Sequence, residues 1–248
     1  MSSTVIIIPT RLNARRLPDK PLKLIKKKEM ILHVYDLALK SGVGDVLVAT
    51  PDNIISNLIL KNNGKSYISK KNHETGTDRV FEAFKNFYSS KPEIIINLQG
   101  DMPNLDPKDI KKLSDFLKKG NCEIGTLASD LKNYSEINDK NVVKVLTKND
   151  IKNSNFSEAI DFKRENIQKE KNYTYHHIGI YGFTKEALVR YVNLKRSKLE
   201  IERNLEQMRA LENKTKIHVG FTSSKPLSID TQNDLIKIKK IMEKNEKN

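Results

Sequence analysis

From Thr4 to Gly120, short β-branched runs alternate with helix-patterned stretches, and this alternation restricts the chain to few folds. Thr4–Pro9 reads as a strand and Met30–Ser41 as a helix closed by Gly42. Asp45–Thr50 is the next strand, followed by a helix at Asn53–Asn63 between Asp52 and Gly64, a short strand at Ser66–Ser69 and a helix at Asp78–Tyr88. Glu93–Gln99 (EIIINLQ) carries three consecutive isoleucines, the mark of a strand buried on both faces. Pro107–Lys119 is a helix with proline in its first turn and Gly120 at its end. Strand–helix units of roughly 25 to 45 residues predict an α/β fold, a mostly parallel Rossmann-like sheet with helices on both faces.

The rhythm then changes. Residues 123–129, 142–148, 177–183 and 216–222 read as strands, with a polar, strand-poor stretch at 149–173. Ser197–Leu211 and Thr231–Lys244 read as helices. The expectation is a partly antiparallel second lobe that adds to the sheet and covers the site, within one folding domain, 1–248. Cys122 is the single cysteine, so an intrachain disulfide and a cysteine-rich metal site are excluded. The apolar run Val5–Ile8 is too short for a signal-peptide core, and no segment has the length to span a membrane. A cytoplasmic protein without membrane insertion is the expectation. The net charge of +14 raises nucleic acid as a partner. The excess is mostly lysine, spread along helices rather than clustered, so a solvated surface is the plainer reading and no nucleic acid is expected.

In open α/β sheets, ligands sit at the carboxyl ends of the strands. Three loops occupy such places. The first, after Ile8, carries Arg11, Arg15, Arg16 and Lys20 among two prolines that restrict the backbone. Four fixed cations there call for a polyanion, a nucleoside triphosphate above all, held by side chains rather than by a GxxxxGK[ST] or GxGxxG loop. The second is LQGDMP, Leu98–Pro103. Gly100 admits close backbone approach, Asp101 can hold a hard cation together with phosphate oxygens, and Gln99 can hydrogen-bond a base or sugar. The third is SIDTQNDL, Ser228–Leu235, which on its own reads as a helix start, with Asp230 or Thr231 as the cap. HETGTDR, His73–Arg79, is a possible anion or base site around Gly76, Thr77 and Arg79. In HHIGIYGF, His176–Phe183, alternation puts His177, Gly179 and Tyr181 on one face. LEQMRALE, Leu205–Glu212, reads as a solvated helix face.

Taken in order, IIIPTRLNARRLPDKPL, TGTDR, NLQGDMP, HHIGIYGF, LEQMRALEN and SIDTQNDL resemble the bacterial 3-deoxy-manno-octulosonate (Kdo) cytidylyltransferases over nearly the whole chain. The resemblance implies the reaction of CTP with Kdo to CMP-Kdo and diphosphate, with Mg2+, for lipopolysaccharide biosynthesis. It implies that Thr10, Arg11, Arg16 and Lys20 hold the triphosphate, with Arg11 and Lys20 catalytic. Gln99, Gly100 and the Gly76–Arg79 loop would lie around the nucleotide. Asp101 and Asp230 would hold magnesium, which reverses the reading of Asp230 as a cap alone. His177, Tyr181, Glu206 and Gln207 would line the sugar pocket. About 1–130 would then be the CTP-binding half, about 131–230 the sugar-binding and dimerisation lobe of a homodimer, and 231–248 a C-terminal helix.

The chain departs from the family pattern at Ala14, Asp19 and Met102, and most clearly at 155–161. There NFSEAID stands where many members have Tyr-Phe-Ser-Arg followed by Ile-Pro, with Glu158 at the arginine position and Asp161 at the proline position. If that arginine greets the acidic sugar, glutamate disfavours a carboxylate, and an amino-sugar variant of Kdo becomes a competing substrate. A nucleotidyltransferase for a different triphosphate or sugar, a nucleic-acid-binding protein and an inactive homologue also stay open at the level of sequence.

Overall fold

The computed structural model describes residues 4–13, 16–120, 122–131, 134–153, 156–165 and 173–244. Ala14, Arg15 and Asn155 lie outside them. The chain divides into two compact units, Met1–Lys111 with Lys225–Asn248, and Lys112–Ser224.

In the first unit, β1 (Thr4–Pro9), β4 (Asp45–Thr50), β5 (Ser66–Ile68) and β6 (Ile94–Leu98) pair in the order β5-β4-β1-β6, every pair parallel. Val5, Ile6, Ile7 and Ile8 are fully buried, as are Ile95, Ile96 and Leu98. Runs buried on both faces explain why these strands lack polar alternation. Between the strands run α1 (Met30–Lys40), α2 (Asn53–Lys61) and α3 (Gly76–Phe87), and a small hairpin joins β2 (Leu24–Ile25) to β3 (Lys28–Glu29). Gly42, at a φ of 64°, takes the left-handed conformation that stops α1. The last helix, α9 (Gln232–Lys244), places Leu235 and Ile238 against Leu17, Ile25, Met30 and Ile229, with Met242 at the margin. The first loop is thus anchored by Leu17 on the C-terminal segment, far away in sequence.

The helix α4 (Pro107–Lys118) crosses the unit boundary. The second unit holds β7 (Ile124–Ser129), β8 (Lys144–Thr147), β9 (Phe156–Lys163), β10 (Tyr173–Thr184) and β11 (Ile217–Phe221), in the order β10-β7-β11-β9-β8. β8 also pairs with β10, so the five strands return on themselves. Only β7–β11 is parallel among the described pairs of this unit. Its helices are α5 (Tyr134–Asn138), α6 (Lys185–Asn193), α7 (Lys198–Arg203) and α8 (Met208–Glu212).

The structure departs from the sequence pattern at two places. The stretch 149–173 is not strand-poor, since it contains β9. An extra residue, Ile160, separates the pairs Leu146–Asp161 and Thr147–Ala159, and this bulge interrupts the alternation that would have revealed the strand. The helix expected at Ser197–Leu211 is two helices. Asn204 turns to a φ of 51°, a conformation asparagine tolerates, and ends α7. Cys122 is buried, and burial pushes its thiol up to about 12, so it packs rather than reacts. Among the described residues, no helix is long and apolar enough to cross a membrane.

Candidate active site

The first loop leaves β1 with its backbone pinned. Thr10 N donates to Ala49 O at 3.0 Å, and Leu12 N to Asp52 Oδ2 at 2.8 Å. Asp52 therefore spends its carboxylate on the loop, and no side-chain capping bond to α2 is made. Asp19, at a φ of 54°, then leads into a single helical turn, Lys20–Leu22, stiffened by Pro21. Lys20 emerges fixed in place. Its Nζ donates to Asp101 Oδ2 at 2.8 Å and to Asp230 Oδ1 at 3.2 Å, and Arg16 Nη2 meets Asp230 Oδ2 at 2.9 Å. Burial alone would lower the Lys20 pKa, but the two carboxylates outweigh it and hold the ammonium above its ordinary value, so it stays charged.

Asp230 is free of capping duty because its neighbours perform it. Asp234 Oδ2 accepts from Thr231 N at 2.9 Å and from Thr231 Oγ1 at 2.7 Å, while Thr231 Oγ1 accepts from Asp234 N at 3.3 Å. The cap is Thr231, reciprocated by Asp234. Ile229 N donates to Asp101 O at 3.0 Å, which stitches the segment bearing Asp230 to the loop bearing Asp101. Asp101 and Asp230, 129 residues apart in the numbering, thus converge on one cation. Arg11 is exposed at the end of β1 and Thr10 is buried beside it.

Gly76, Gln99 and Gly100 meet at the same strand ends. A Cβ on Gly100 would come within 3.3 Å of Thr10 Cβ and 3.4 Å of Pro9 O, and one on Gly76 would touch Gln99 Oε1 at 3.6 Å. Gln99 is oriented by a relay: its Nε2 donates to Asn97 Oδ1 at 2.9 Å, and Asn97 Nδ2 donates to Thr77 Oγ1 at 3.2 Å. Thr75 caps α3, accepting from Asp78 N. Glu82 draws in the preceding segment, accepting from Tyr67 Oη at 3.0 Å, from Lys70 N at 2.7 Å and from His73 Nε2. Arg79 is buried on α3 rather than displayed on the surface. Sequence reasoning missed Asp52, Glu82, Asn97 and Asp234. Asp52 and Asp234 were legible only as helix-start residues and Glu82 as a surface polar residue, while Asn97 stood inside a buried strand with nothing in the sequence to show that Thr77 and Gln99 would satisfy it.

In the second unit, His177, Tyr181 and Glu206 come together, and Gln207 follows Glu206 in the chain. The His177 and Tyr181 rings lie 5.4 Å apart. The Tyr181 hydroxyl is buried without a well-formed hydrogen bond among the described residues, and the Thr126 hydroxyl is the side-chain group near enough to act on it. Burial holds its phenol well above the ordinary value, with the Glu206 charge acting in the same direction. Burial likewise drives the His177 pKa down to about 3, so the ring is neutral at physiological pH. Glu206 O accepts from Tyr191 Oη at 2.7 Å, and Gln207 is buried. A buried phenol without a well-formed hydrogen bond costs about 1–3 kcal/mol, a cost that a polar ligand at this position would relieve.

Glu158 is not in this group. It pairs with His218, which neighbours Gly125, and a Cβ on Gly125 would run into Leu113 of α4. Its carboxylate accepts from Lys216 Nζ at 2.6 Å, which holds its pKa below the ordinary value. His177 instead shares a face with Phe162, whose ring stands edge-on at 5.1 Å, and with Thr126 and Ala128. The bulge at Ile160 reverses the strand between Glu158 and Phe162, leaving Glu158 on the opposite face from His177. The motive for an amino-sugar substrate therefore falls away. Asp161 is engaged with Arg203, whose Nη1 lies 2.5 Å from its Oδ1.

Among the described residues no cluster of three or more His, Cys, Asp or Glu could hold a metal ion. The Asp101–Asp230 pair is what remains, and two carboxylates suit a magnesium ion that draws its other ligands from phosphate and water.

The profile of the cytidylyltransferase family matches residues 5–217. The 3-deoxy-manno-octulosonate cytidylyltransferase of Bartonella tribocorum is 37% identical over 96% of this chain and 98% of its own length. That of Thermodesulfovibrio yellowstonii is 38% identical, over 94% of this chain and 95% of its own. A solved structure, CMP:2-keto-3-deoxy-manno-octonic acid synthetase complexed with CTP, superposes with a TM-score of 0.86 at 31% identity, covering 98% of this chain and 99% of that one.

Proposed function

We propose, from the premise that this chain belongs to the 3-deoxy-manno-octulosonate cytidylyltransferase family, that it transfers a cytidylyl group from CTP to Kdo for lipopolysaccharide biosynthesis. Its α/β fold is shared with nucleotidyltransferases. The observation that carries the reading is Lys20 held between Asp101 and Asp230 at the strand ends. A charged lysine beside two carboxylates has the composition of a site where a triphosphate and a hard cation meet.

In the reaction the anomeric oxygen of Kdo bonds to the α-phosphorus of CTP, the bond from that phosphorus to the β-phosphate oxygen breaks, and diphosphate leaves while the hydroxyl proton passes to solvent. Arg11, Arg16 and Lys20 bind the triphosphate and neutralise charge that develops on the leaving group. Gln99, held by Asn97, presents its remaining amide groups to the cytosine, beside Gly76, Gly100 and the buried Arg79. Asp101 and Asp230 would hold magnesium, which supplies charge neutralisation at the phosphates. His177, Tyr181, Glu206 and Gln207 bind the sugar. Such a site works by positioning and electrostatics, without a covalent enzyme intermediate. The same reading makes the protein a cytoplasmic homodimer. The exposed Ile160 and Ile201, on elements joined by the Arg203–Asp161 pair, support a partner surface.

Diphosphate release with CTP, UTP, GTP and ATP, each with Kdo or its 8-amino analogue, tests this. CTP with Kdo is expected to lead in kcat/KM by about a hundredfold. Equal turnover with UTP would overturn the nucleotide assignment, and preference for the amino analogue would overturn the sugar.

A further inference from the structure

Regular alternation leaves residues four apart on a strand about 13 Å distant, yet the His177 and Tyr181 rings sit 5.4 Å apart. The pairing of β10 with β7 explains this. His177 pairs with Ala128 and Ile178 with Leu127, but the next pair is Tyr181 with Thr126. Gly179 and Ile180 are therefore extra residues, and the bulge brings His177 and Tyr181 to neighbouring places on one face. A bulge also strands carbonyls that the ladder would otherwise use. Fully buried Thr126 answers them: its Oγ1 lies 2.7 Å from Ile180 O, 3.2 Å from Ile178 O and 3.0 Å from His177 Nε2.

A hydroxyl has one proton to give, and carbonyl oxygens can only accept. The proton of Thr126 goes to the bulge carbonyls, so its lone pair must accept from His177, which fixes the hydrogen on Nε2. Nδ1 of the neutral ring is then bare. We infer that Thr126 is a positioning residue of the sugar pocket: it closes the β10 bulge and locks His177 as the Nε2–H tautomer, so that Nδ1 accepts a hydrogen bond from a sugar hydroxyl. This rests on reading His177 and Tyr181 as sugar-binding residues. It adds a direction to that pocket, with His177 accepting at Nδ1.

The test uses the full-length chain, labelled with 15N at histidine, with His177 identified through His177→Asn. Long-range proton–nitrogen spectra at neutral pH should show a protonated Nε2 and a bare Nδ1 in the parent and in Thr126→Ser. In Thr126→Val the fixed tautomer should be lost. That variant should also raise the KM for Kdo about tenfold, with the KM for CTP within about twofold, while Thr126→Ser stays within about twofold for both. A protonated Nδ1 in the parent, or an unchanged tautomer in Thr126→Val, overturns the proposal. Equal losses in Thr126→Val and Thr126→Ser, in both KM values, would also overturn it, by reducing Thr126 to packing. If the tautomer shifts while the KM for Kdo stays fixed in Thr126→Val and His177→Asn alike, the sugar-pocket reading fails instead.

Discussion

Asp101→Asn is expected to lower kcat for diphosphate release by about a thousandfold, some 4 kcal/mol of transition-state stabilisation, with the fold intact. The substitution keeps the size of the side chain and removes its charge. Asp101 Oδ2 is the nearer of the two acceptors of Lys20 Nζ, and its backbone carbonyl ties down the Asp230 segment. Asparagine preserves that backbone bond, so on the proposed reading the expected loss is one of cation binding and charge alignment rather than architecture. Asp230→Asn should act in the same direction. On the proposed metal role, in which both carboxylates serve one cation, the double variant should be little worse than the poorer single one. Steady-state kinetics at saturating CTP and magnesium, with circular dichroism as a folding control, decides the matter. Activity within about tenfold of the parent would remove Asp101 from the metal role.

Arg209→Met is expected to cost about 3–5 kcal/mol of stability, because it leaves a buried carboxylate without its main partner. Glu200 is 1% and Arg209 2% exposed at the side chain. Arg209 Nε donates to Glu200 Oε2 at 2.8 Å and Nη2 to Oε1 at 2.7 Å, a two-pronged pair. Ser197 and Glu200 complete a capping box at the start of α7, and the guanidinium lies 4.8 Å from the centre of the Tyr191 ring. For a chain of this size the loss corresponds to a melting temperature lower by about 10 °C. Combining Arg209→Met with Glu200→Gln should recover a large part of it.

The pH dependence has a definite sign. Burial would raise the Glu200 pKa, but Arg209, with Arg196 Nε at 3.0 Å and the Ser197 N–H, outweighs it and holds the pKa below the ordinary 4.5. The pair's contribution is therefore present above pH 4.5 and fades as pH falls through the depressed value. Without Arg209 the carboxyl takes up a proton more readily, so urea denaturation should show the gap between variant and parent narrowing below pH 4.5. A gap that stays constant would mean that packing of Arg209 on Tyr191, not charge, accounts for the loss.

Strands β1 and β6 were legible because a run of isoleucine buried on both faces has few other uses. The first loop was legible as a cation cluster, and its convergence on Asp101 followed from the strand-end rule. The roles of Asp230 and Thr231 were not separable by pattern, since either can cap a helix; only the bonds of Asp234 assign the cap to Thr231. Strand β9 was hidden by Glu158, Asp161 and Lys163 and by the extra Ile160. That residue also misdirected the reading of Glu158, because a position in a motif does not say which face a bulged strand shows. Thr126 gave no signal at all. A threonine in a strand is ordinary, and its partners are set by a two-residue bulge in a segment more than fifty positions away.

The most direct test of cytidylyl transfer is the mass and stoichiometry of the products when the protein turns over CTP and Kdo with magnesium. CMP-Kdo and diphosphate are expected in a one-to-one ratio, with formation dependent on Kdo and suppressed in Asp101→Asn. A CDP-linked sugar with orthophosphate, or free CMP released without Kdo, would contradict it.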